Sequence, residues 1–341
     1  MGRWEAVMRA LVTGGGGFLG GALARKLRGR GDDVRIFGRG SYPELGALGI
    51  ETSRGDLTDY EAVRVACDDR DTVFHAAAKV GLWGRPEDYE AVNVQGTKNV
   101  LRACLETGVS KLVFTSSPSV VFDGGDIEGV DESVPYPERF DCDYSRTKAA
   151  AEKMVLAANH DRLRTVSLRP HLVWGPGDRH LLPRLAARAR SRRLFRIGED
   201  SKLVDTLYID DAVDAHVLAA VQLSPRSAIS GNACFLSSGD PRPLWEIVNR
   251  MLAAAGLGPV KRRVPKALAF AAADACEGVW RACRLSCEPP LTRFLVSQLT
   301  TAHWFDISAA RRELGWRPRV SLDEGMARLA QWVRAARPFD H

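Results

Sequence analysis

Between Ala10 and Gly21 the chain reads ALVTGGGGFLGG, a short apolar run that empties into glycines. Few arrangements suit such a run, and we read it as a strand, a phosphate-holding turn and a helix start. Glycine reaches positive φ cheaply and lets a pyrophosphate approach the backbone, where free amides at a helix N-terminus receive negative charge. Gly14, Gly17 and Gly20 spell GxxGxxG, while Gly15, Gly17 and Gly20 spell GxGxxG, so the glycines alone leave two registers open.

The next elements follow from periodicity and breakers. Ala22 to Arg30 is expected to be helical, Gly31 to close it, and Asp33 to Phe37 to form a second strand. That strand runs out as Phe37-Gly38-Arg39-Gly40. A carboxylate there would accept hydrogen bonds from adenosine ribose hydroxyls and repel a 2′-phosphate, but a guanidinium stands in its place. Arg39 therefore favours NADP(H) over NAD(H), pairing with the 2′-phosphate through charge-assisted hydrogen bonds. Asp56 follows a third strand and precedes a helix, as an adenine-contacting carboxylate, a residue of the N-cap region, or both. A fourth strand, Thr72 to His75, runs into Ala76, Ala77 and Ala78, small residues that let the backbone lie close to a bound cofactor. His75 itself reads as structural.

Further on, a helix around Tyr89 to Thr107 contains Asn93, the strand Lys111 to Thr115 meets the polar turn Ser116 to Ser119, and the next helix carries Tyr144 and Lys148. Tyr and Lys four apart share one helix face. A phenol has a pKa of roughly 10, too high for ready proton exchange at neutral pH. An adjacent ammonium and a positive nicotinamide favour the phenolate and lower that value. Lys148 can also hold the nicotinamide ribose, and Ser117 can orient a substrate oxygen toward Tyr144. Because the glycine turn, the serine turn and the Tyr/Lys helix follow one another in this order, all three can meet at the carboxyl ends of parallel strands.

Composition sets the frame for that chemistry. A chain of 341 residues with 45% hydrophobic and 26% charged residues builds a sizeable globular core. Its 48 basic and 42 acidic residues leave a formal charge of +6, too mild an excess to point to nucleic acid. Seven cysteines lack CxxC pairs or any zinc-like alternation with histidine, so no metal is expected, and their scatter suits free thiols in a reducing cytoplasm. Residues 1–7 read as a short leader. The apolar segment Ala267 to Trp280 is interrupted by Asp274 and Glu277, so no transmembrane span is expected; a packing helix, a cover over a greasy pocket and a membrane-surface contact remain open for it.

The set Thr13 to Gly20, Gly55-Asp56-Leu57, His75 to Ala78, Asn93 to Thr97, Thr115 to Ser117, Tyr144 to Lys148, and Arg169-Pro170 with Gly175-Pro176 resembles the extended short-chain dehydrogenases/reductases from Met8 onward. The resemblance implies a Rossmann-type doubly wound parallel sheet with a smaller, mostly helical C-terminal substrate domain. It implies residues 8–174 as the NAD(P)-binding domain and 175–341 as the substrate-binding region, with about 205–238 returning to the first. It places Gly14, Gly17 and Gly20 at the functional glycine positions, with Phe18, Leu19, Arg39, Asp56, Leu57, Ala76, Ala77, Ala78, Tyr144, Lys148 and Pro170 around the cofactor. Ser117, Tyr144 and Lys148 become the catalytic triad, and Asn93 supports a helix bend or a proton relay.

Within that superfamily, Leu203 to His216 and Pro289 to Arg293 resemble the 3β-hydroxysteroid dehydrogenase-like branch. Ala78 to Gly84 and Ser116 to Val120 are similar to bacterial 2-alkyl-3-oxoalkanoate reductases of olefin biosynthesis. That similarity implies NADPH-dependent reduction of a fatty 2-alkyl-3-oxo acid to the 3-hydroxy acid. Rival readings are an NAD(P)-dependent 3β-hydroxysteroid or sterol dehydrogenase, a nucleotide-sugar epimerase and a non-catalytic cofactor-sensing module. Two departures stand out: Trp174 in place of the usual tyrosine before Gly-Pro, which bears on substrate-side packing, and the missing acidic residue after the second strand. Trp83, Trp174, Phe195 and the 267–280 segment are candidates for an acyl groove. Arg184 and Arg188, with Arg192 on the same face of a helix over Leu181 to Arg193, can meet a substrate carboxylate or form a solvated face. The expected partner is a small hydrophobic substrate, with a homodimer or association with neighbouring pathway enzymes as further possibilities.

Overall fold

Strand residues that read as continuous apolar runs are buried on both sides because helices cover both faces of the sheet they build. The computed structural model describes residues 7–198 and 201–338; most of the expected leader, residues 1–6, lies outside the described residues. Seven parallel strands, β1 (Arg9–Thr13), β2 (Asp33–Gly38), β3 (Glu51–Arg54), β4 (Thr72–His75), β5 (Lys111–Thr115), β6 (Arg164–Pro170) and β7 (Ala233–Leu236), pair in the order β7-β6-β5-β4-β1-β2-β3. In β1, Ala10 and Val12 point to one face and Leu11 to the other, each fully buried. On the first face lie α1 (Phe18–Gly29) and, further along the chain, Ile209–Gln222, joined by a Lys26–Asp214 ion pair of 2.7 Å. On the second lie α2 (Tyr60–Cys67), α3 (Gly96–Thr107) and α4 (Asp143–Ala157).

The remaining helices of eight or more residues, α5 (Leu181–Arg190), α6 (Ile209–Gln222), α7 (Leu244–Ala254), α8 (Lys266–Ala282), α9 (Arg293–Thr300) and α10 (Leu322–Ala336), come from the later half of the chain. A small mixed sheet orders Arg242–Pro243, Leu203–Val204, His303–Phe305 and Ile127–Val130, so it unites segments from both halves. No helix among the described residues is long and apolar enough to cross a membrane.

Several boundaries differ from the periodicity. The first helix starts at Phe18 rather than Ala22, with Gly17 as its N-cap and the Gly21 amide donating to the Gly17 carbonyl at 2.8 Å. α5 stops at Arg190, and Arg192 has φ +56°, so Arg192 does not share a helix face with Arg184 and Arg188. Of the strand expected over Asp205 to Asp211, Leu207–Tyr208 pairs in a strand and the helix begins at Ile209. Asp205 instead uses its carboxylate locally, accepting from the Thr206 amide at 2.7 Å, the Gly239 amide at 2.8 Å and the Ser238 hydroxyl. The helical run before α3 contains a π-turn over Glu90–Gln95.

One buried ion pair ties α4 to the sheet. Arg169 on β6 and Glu152 on α4 meet at 2.7 Å, with side-chain exposures of 3% and 0%. Ser167 donates to Glu152 Oε2 at 2.6 Å and Tyr136 to Oε1 at 2.7 Å. Burial alone would push the Glu152 carboxyl up, but the bonds and charge of Arg169 outweigh it and hold it below its ordinary value. Glu152→Ala strands the Arg169 guanidinium and is expected to cost about 3–5 kcal/mol in urea unfolding. Because the folded pKa is depressed, this contribution is full above the unfolded carboxyl pKa and is lost as pH falls through the folded one. The wild-type advantage should therefore shrink in acid. A loss below about 1 kcal/mol at neutral pH, in the range of an exposed pair, contradicts this assignment.

Candidate active site

All seven strands run the same way, so the turns that follow them open on one edge. Read along the sheet, Pro170 ends β6, Ser117 follows β5, Ala76 to Ala78 follow β4, Gly14 to Gly20 follow β1, Arg39 follows β2 and Asp56 follows β3. Six adjacent strands thus deliver the expected site residues in one row.

In the middle of the row the backbone is packed too closely for side chains. Gly14 has φ +70°, and a Cβ on it would lie 2.8 Å from the Ala77 Cα. A Cβ on Gly20 would lie 2.3 Å from the Gly14 carbonyl oxygen, and one on Gly17 3.1 Å from it. No hydrogen bond among the described residues uses the Gly15 or Gly16 amide. Uncommitted amides at a helix start are the donors that a pyrophosphate requires, so this cradle fits a dinucleotide. Thr13 braces it: its hydroxyl accepts from the Ala77 amide at 3.2 Å and meets His75 Nδ1 at 2.8 Å. The other His75 nitrogen meets Thr97 Oγ1 at 3.0 Å, and Thr97 already donates to the Asn93 carbonyl at 2.6 Å. His75 Nε2 is therefore the protonated nitrogen. Burial, with help from Lys148, pushes its pKa down to about 3, so His75 is a neutral strut held by hydroxyls.

Toward β5 the polar groups gather. Ser117 is extended and caps the short turn Pro118–Val121 by accepting from the Ser119 amide at 3.2 Å, and its hydroxyl lies near enough to the Tyr144 phenol to favour the phenolate. Tyr144 is in the first turn of α4, and Lys148, one turn later, donates to the Thr115 carbonyl at 2.6 Å with its Nζ 3.9 Å from the Phe114 ring centre. Asn93 in the π-turn accepts from the Lys79 amide at 2.7 Å and donates to Thr147 at 3.0 Å, fixing the loop after β4 to α4. The lowering of the phenol expected from Lys148 is not a feature of the protein alone. Burial comes first and pushes Tyr144 up to about 12, against the lowering influence of the Ser117 hydroxyl, while burial pushes Lys148 down to about 7.

At the other end of the row, Arg39 is 3.9 Å from Asp56. Asp56 is held below its ordinary value chiefly by the Thr58 amide, with Arg39 a smaller cause. The N-cap of α2 is Asp59 rather than Asp56. Leu57 turns its side chain into the core and its carbonyl accepts from Asn99 at 2.8 Å.

A cavity of about 320 Å³ opens among α5, α7 and α9, where Leu181, Leu185, Leu244 and Trp245 meet Leu82 from the loop after β4 and Leu172 from the loop after β6; Ser117, Tyr144 and Lys148 do not line it. Those two strands flank β5, which leads into Ser117. Sequence reasoning missed this wall. The signals were Leu181 and Leu185 one turn apart, and the apolar face of α7, whose neighbours only the tertiary fold reveals. The aromatic residues expected to line an acyl groove do not line this cavity. Trp174 is buried, donates to Thr206 Oγ1 at 3.0 Å and packs edge-on against Tyr208, so its departure from the usual tyrosine is a matter of core packing. Trp83 donates to the Leu285 carbonyl at 3.1 Å, Phe195 lies outside the wall, and α8 packs Ala269 and Ala273 against Ile197 and Val296. Arg184 and Arg188 do reach the cavity, but Arg184 is paired with Glu288 at 2.8 Å and Arg188 donates to the Pro290 carbonyl at 3.0 Å.

Residues 11–265 match the 3-beta hydroxysteroid dehydrogenase/isomerase family. The chain belongs to that family. Among its relatives, a 2-alkyl-3-oxoalkanoate reductase of Stenotrophomonas maltophilia (strain K279a) is 49% identical over 324 residues, spanning 94% of this chain and 98% of that protein. A decarboxylating sterol-4-alpha-carboxylate 3-dehydrogenase of Candida albicans (strain SC5314 / ATCC MYA-2876) is 35% identical over 347 residues, spanning 96% and 98%. Among solved structures, MoeE5 in complex with UDP-glucuronic acid and NAD superposes with a TM-score of 0.73 at 29% identity, covering 96% of this chain and 99% of that one. This member of the 3-beta hydroxysteroid dehydrogenase/isomerase family is an NAD(P)-binding oxidoreductase of the extended short-chain dehydrogenase/reductase type.

Gly20→Ala should force the helix start away from the Gly14 carbonyl. We expect at least about a tenfold loss of NAD(P) affinity, or about 1.4 kcal/mol, in fluorescence titration. Wild-type affinity in the variant contradicts the cradle.

Proposed function

We propose that this chain reduces the 3-keto group of a long-chain 2-alkyl-3-oxoalkanoate to the 2-alkyl-3-hydroxyalkanoate and prefers NADPH to NADH. The observation that carries the reading is the placement of Ser117 just after β5 and Tyr144 at the start of α4, with the loops after the flanking strands β4 and β6 giving Leu82 and Leu172 to the wall of an apolar cavity. A reacting polar point on the sheet edge whose neighbouring loops reach into a greasy recess suits a fatty keto acid. The name of the Stenotrophomonas relative supports the same substrate class. Arg39 in place of a carboxylate supports the 2′-phosphate.

When bound, the dinucleotide supplies the hydride that reaches C3. Ser117 donates a hydrogen bond to the ketone oxygen and fixes its direction. Tyr144 gives its phenolic proton to that oxygen as negative charge develops there. Burial keeps the phenol protonated in the free protein, with its pKa up to about 12, so the proton is in place before substrate arrives. Lys148, held by the Thr115 carbonyl, is the residue to grip the nicotinamide ribose. Gly14, Gly17 to Gly20, Ala76 to Ala78 and Pro170 form the cofactor's backbone bed. A β-keto acid sheds carbon dioxide readily because its ketone takes up the electron pair; reduction at C3 removes that sink, so the 3-hydroxy product keeps its carboxyl group. In this reading residues 8–174 hold the dinucleotide and the chain from 175 supplies the substrate wall, with about 205–238 packing back on the sheet through β7.

A sterol or steroid 3β-hydroxy dehydrogenase working oxidatively is the second reading, favoured by the Candida relative. It is weakened by the absence of a carboxylate after β2. Tyr144→Phe is expected to lower kcat for NADPH oxidation by a 2-alkyl-3-keto acid about 10²- to 10⁴-fold while NADPH binds nearly as before. Full turnover in this variant would overturn the catalytic assignment.

A further inference from the structure

Tyr42 lies where the glycine loop meets the turn after β2, and three glycines are shaped around its ring. A Cβ built on Gly16 would fall 1.9 Å from Tyr42 Cε1 and 2.1 Å from Cζ. A Cβ on Gly40 would meet the phenol oxygen at 2.8 Å, and one on Gly38 at 3.1 Å. None of the three has a positive φ, so close approach to this ring accounts for the missing side chains. The phenol oxygen accepts from the Gly40 amide at 3.2 Å, and among the described residues nothing accepts the phenol's own proton.

That uncommitted donor sits beside Arg39. The Arg39 side chain is 81% exposed, and its 3.9 Å contact with Asp56 is a weak surface pair. Arg54 Nε donates to the Arg39 carbonyl at 3.0 Å, which fixes the backbone and leaves the guanidinium free to swing. A long exposed side chain loses rotamer freedom when it grips a ligand. A phenol already locked on Gly16 and Gly40 loses little, so it is the pre-organised half of the donor set.

We infer that Tyr42 is a specificity-determining residue for the cofactor: its hydroxyl donates to the 2′-phosphate beside Arg39, while its ring holds the glycine loop against the turn after β2. The hydroxyl's role rests on the NADPH preference proposed above; the ring's role rests on dinucleotide binding alone. Tyr42→Phe keeps the ring and removes the donor, whereas Tyr42→Ala removes both.

Calorimetric dissociation constants for NADPH, NADH, adenosine 2′,5′-bisphosphate and AMP separate the two roles, with thermal melting to verify folding. Tyr42→Phe should weaken NADPH and adenosine 2′,5′-bisphosphate about tenfold, as for one charge-assisted hydrogen bond, and leave NADH and AMP unchanged. Tyr42→Ala should weaken NADH as well. An unchanged NADPH-to-NADH ratio in Tyr42→Phe, in a wild type that prefers NADPH, overturns the hydroxyl's role by itself. A wild type that binds both dinucleotides equally overturns the NADPH preference and the hydroxyl's role together. A folded Tyr42→Ala that binds NADH like wild type overturns the ring's role.

Discussion

The closest backbone approach in the site is the one on which its layout depends. Gly20 comes so near the Gly14 carbonyl, and Gly14 so near Ala77, that neither position has room for a Cβ. This contact lets α1 begin directly beneath β1, brings its free amides to the sheet edge and seats the loop after β4 beside them. A longer connection would move the helix N-terminus off the edge and leave its partial positive charge unused. Because the sheet is parallel and its order reverses beside β1, the same edge collects the turns after β4, β5 and β6 on one side and those after β2 and β3 on the other.

The polar half of the site is held from behind. Asn93 bonds both the loop after β4 and Thr147 on α4, while the Glu152–Arg169 pair anchors α4 to β6 one turn beyond Lys148. Tyr144 and Lys148 thus project from a helix fixed at two levels, and Ser117 comes from a strand end that the neighbouring strand already pins through the Ser116 amide and Leu168 carbonyl at 2.7 Å. Rigid support of this kind places donor and acceptor before substrate enters, which is where positioning and charge stabilisation originate. Burial then shifts the titrations: it keeps the phenol protonated and brings the lysine's pKa down to about 7.

Much of this was legible in the sequence because it is local. The glycine turn, the apolar strands and the Tyr144/Lys148 spacing are written in residues a few positions apart. The start of α1 at Phe18 was not, since Gly20 and Gly21 are poor helix formers and only their contact with the loop explains them. The cavity was not, because α5, α7 and α9 create it from segments far apart in the chain. Trp174 looked substrate-facing by position yet is buried against Tyr208 and Thr206, and Leu57 faces the core. Tyr42 gave no signal at all, because its meaning lies in three glycines that fold around it.

The most direct measurement is a paired turnover assay on one preparation: oxidation of NADPH by a long-chain 2-alkyl-3-keto acid against reduction of NAD by a 3β-hydroxysteroid. Rapid NADPH oxidation yielding the 2-alkyl-3-hydroxy acid, with little turnover of the steroid, is the expected result. Rapid NAD reduction by the steroid with no turnover of the keto acid would contradict it.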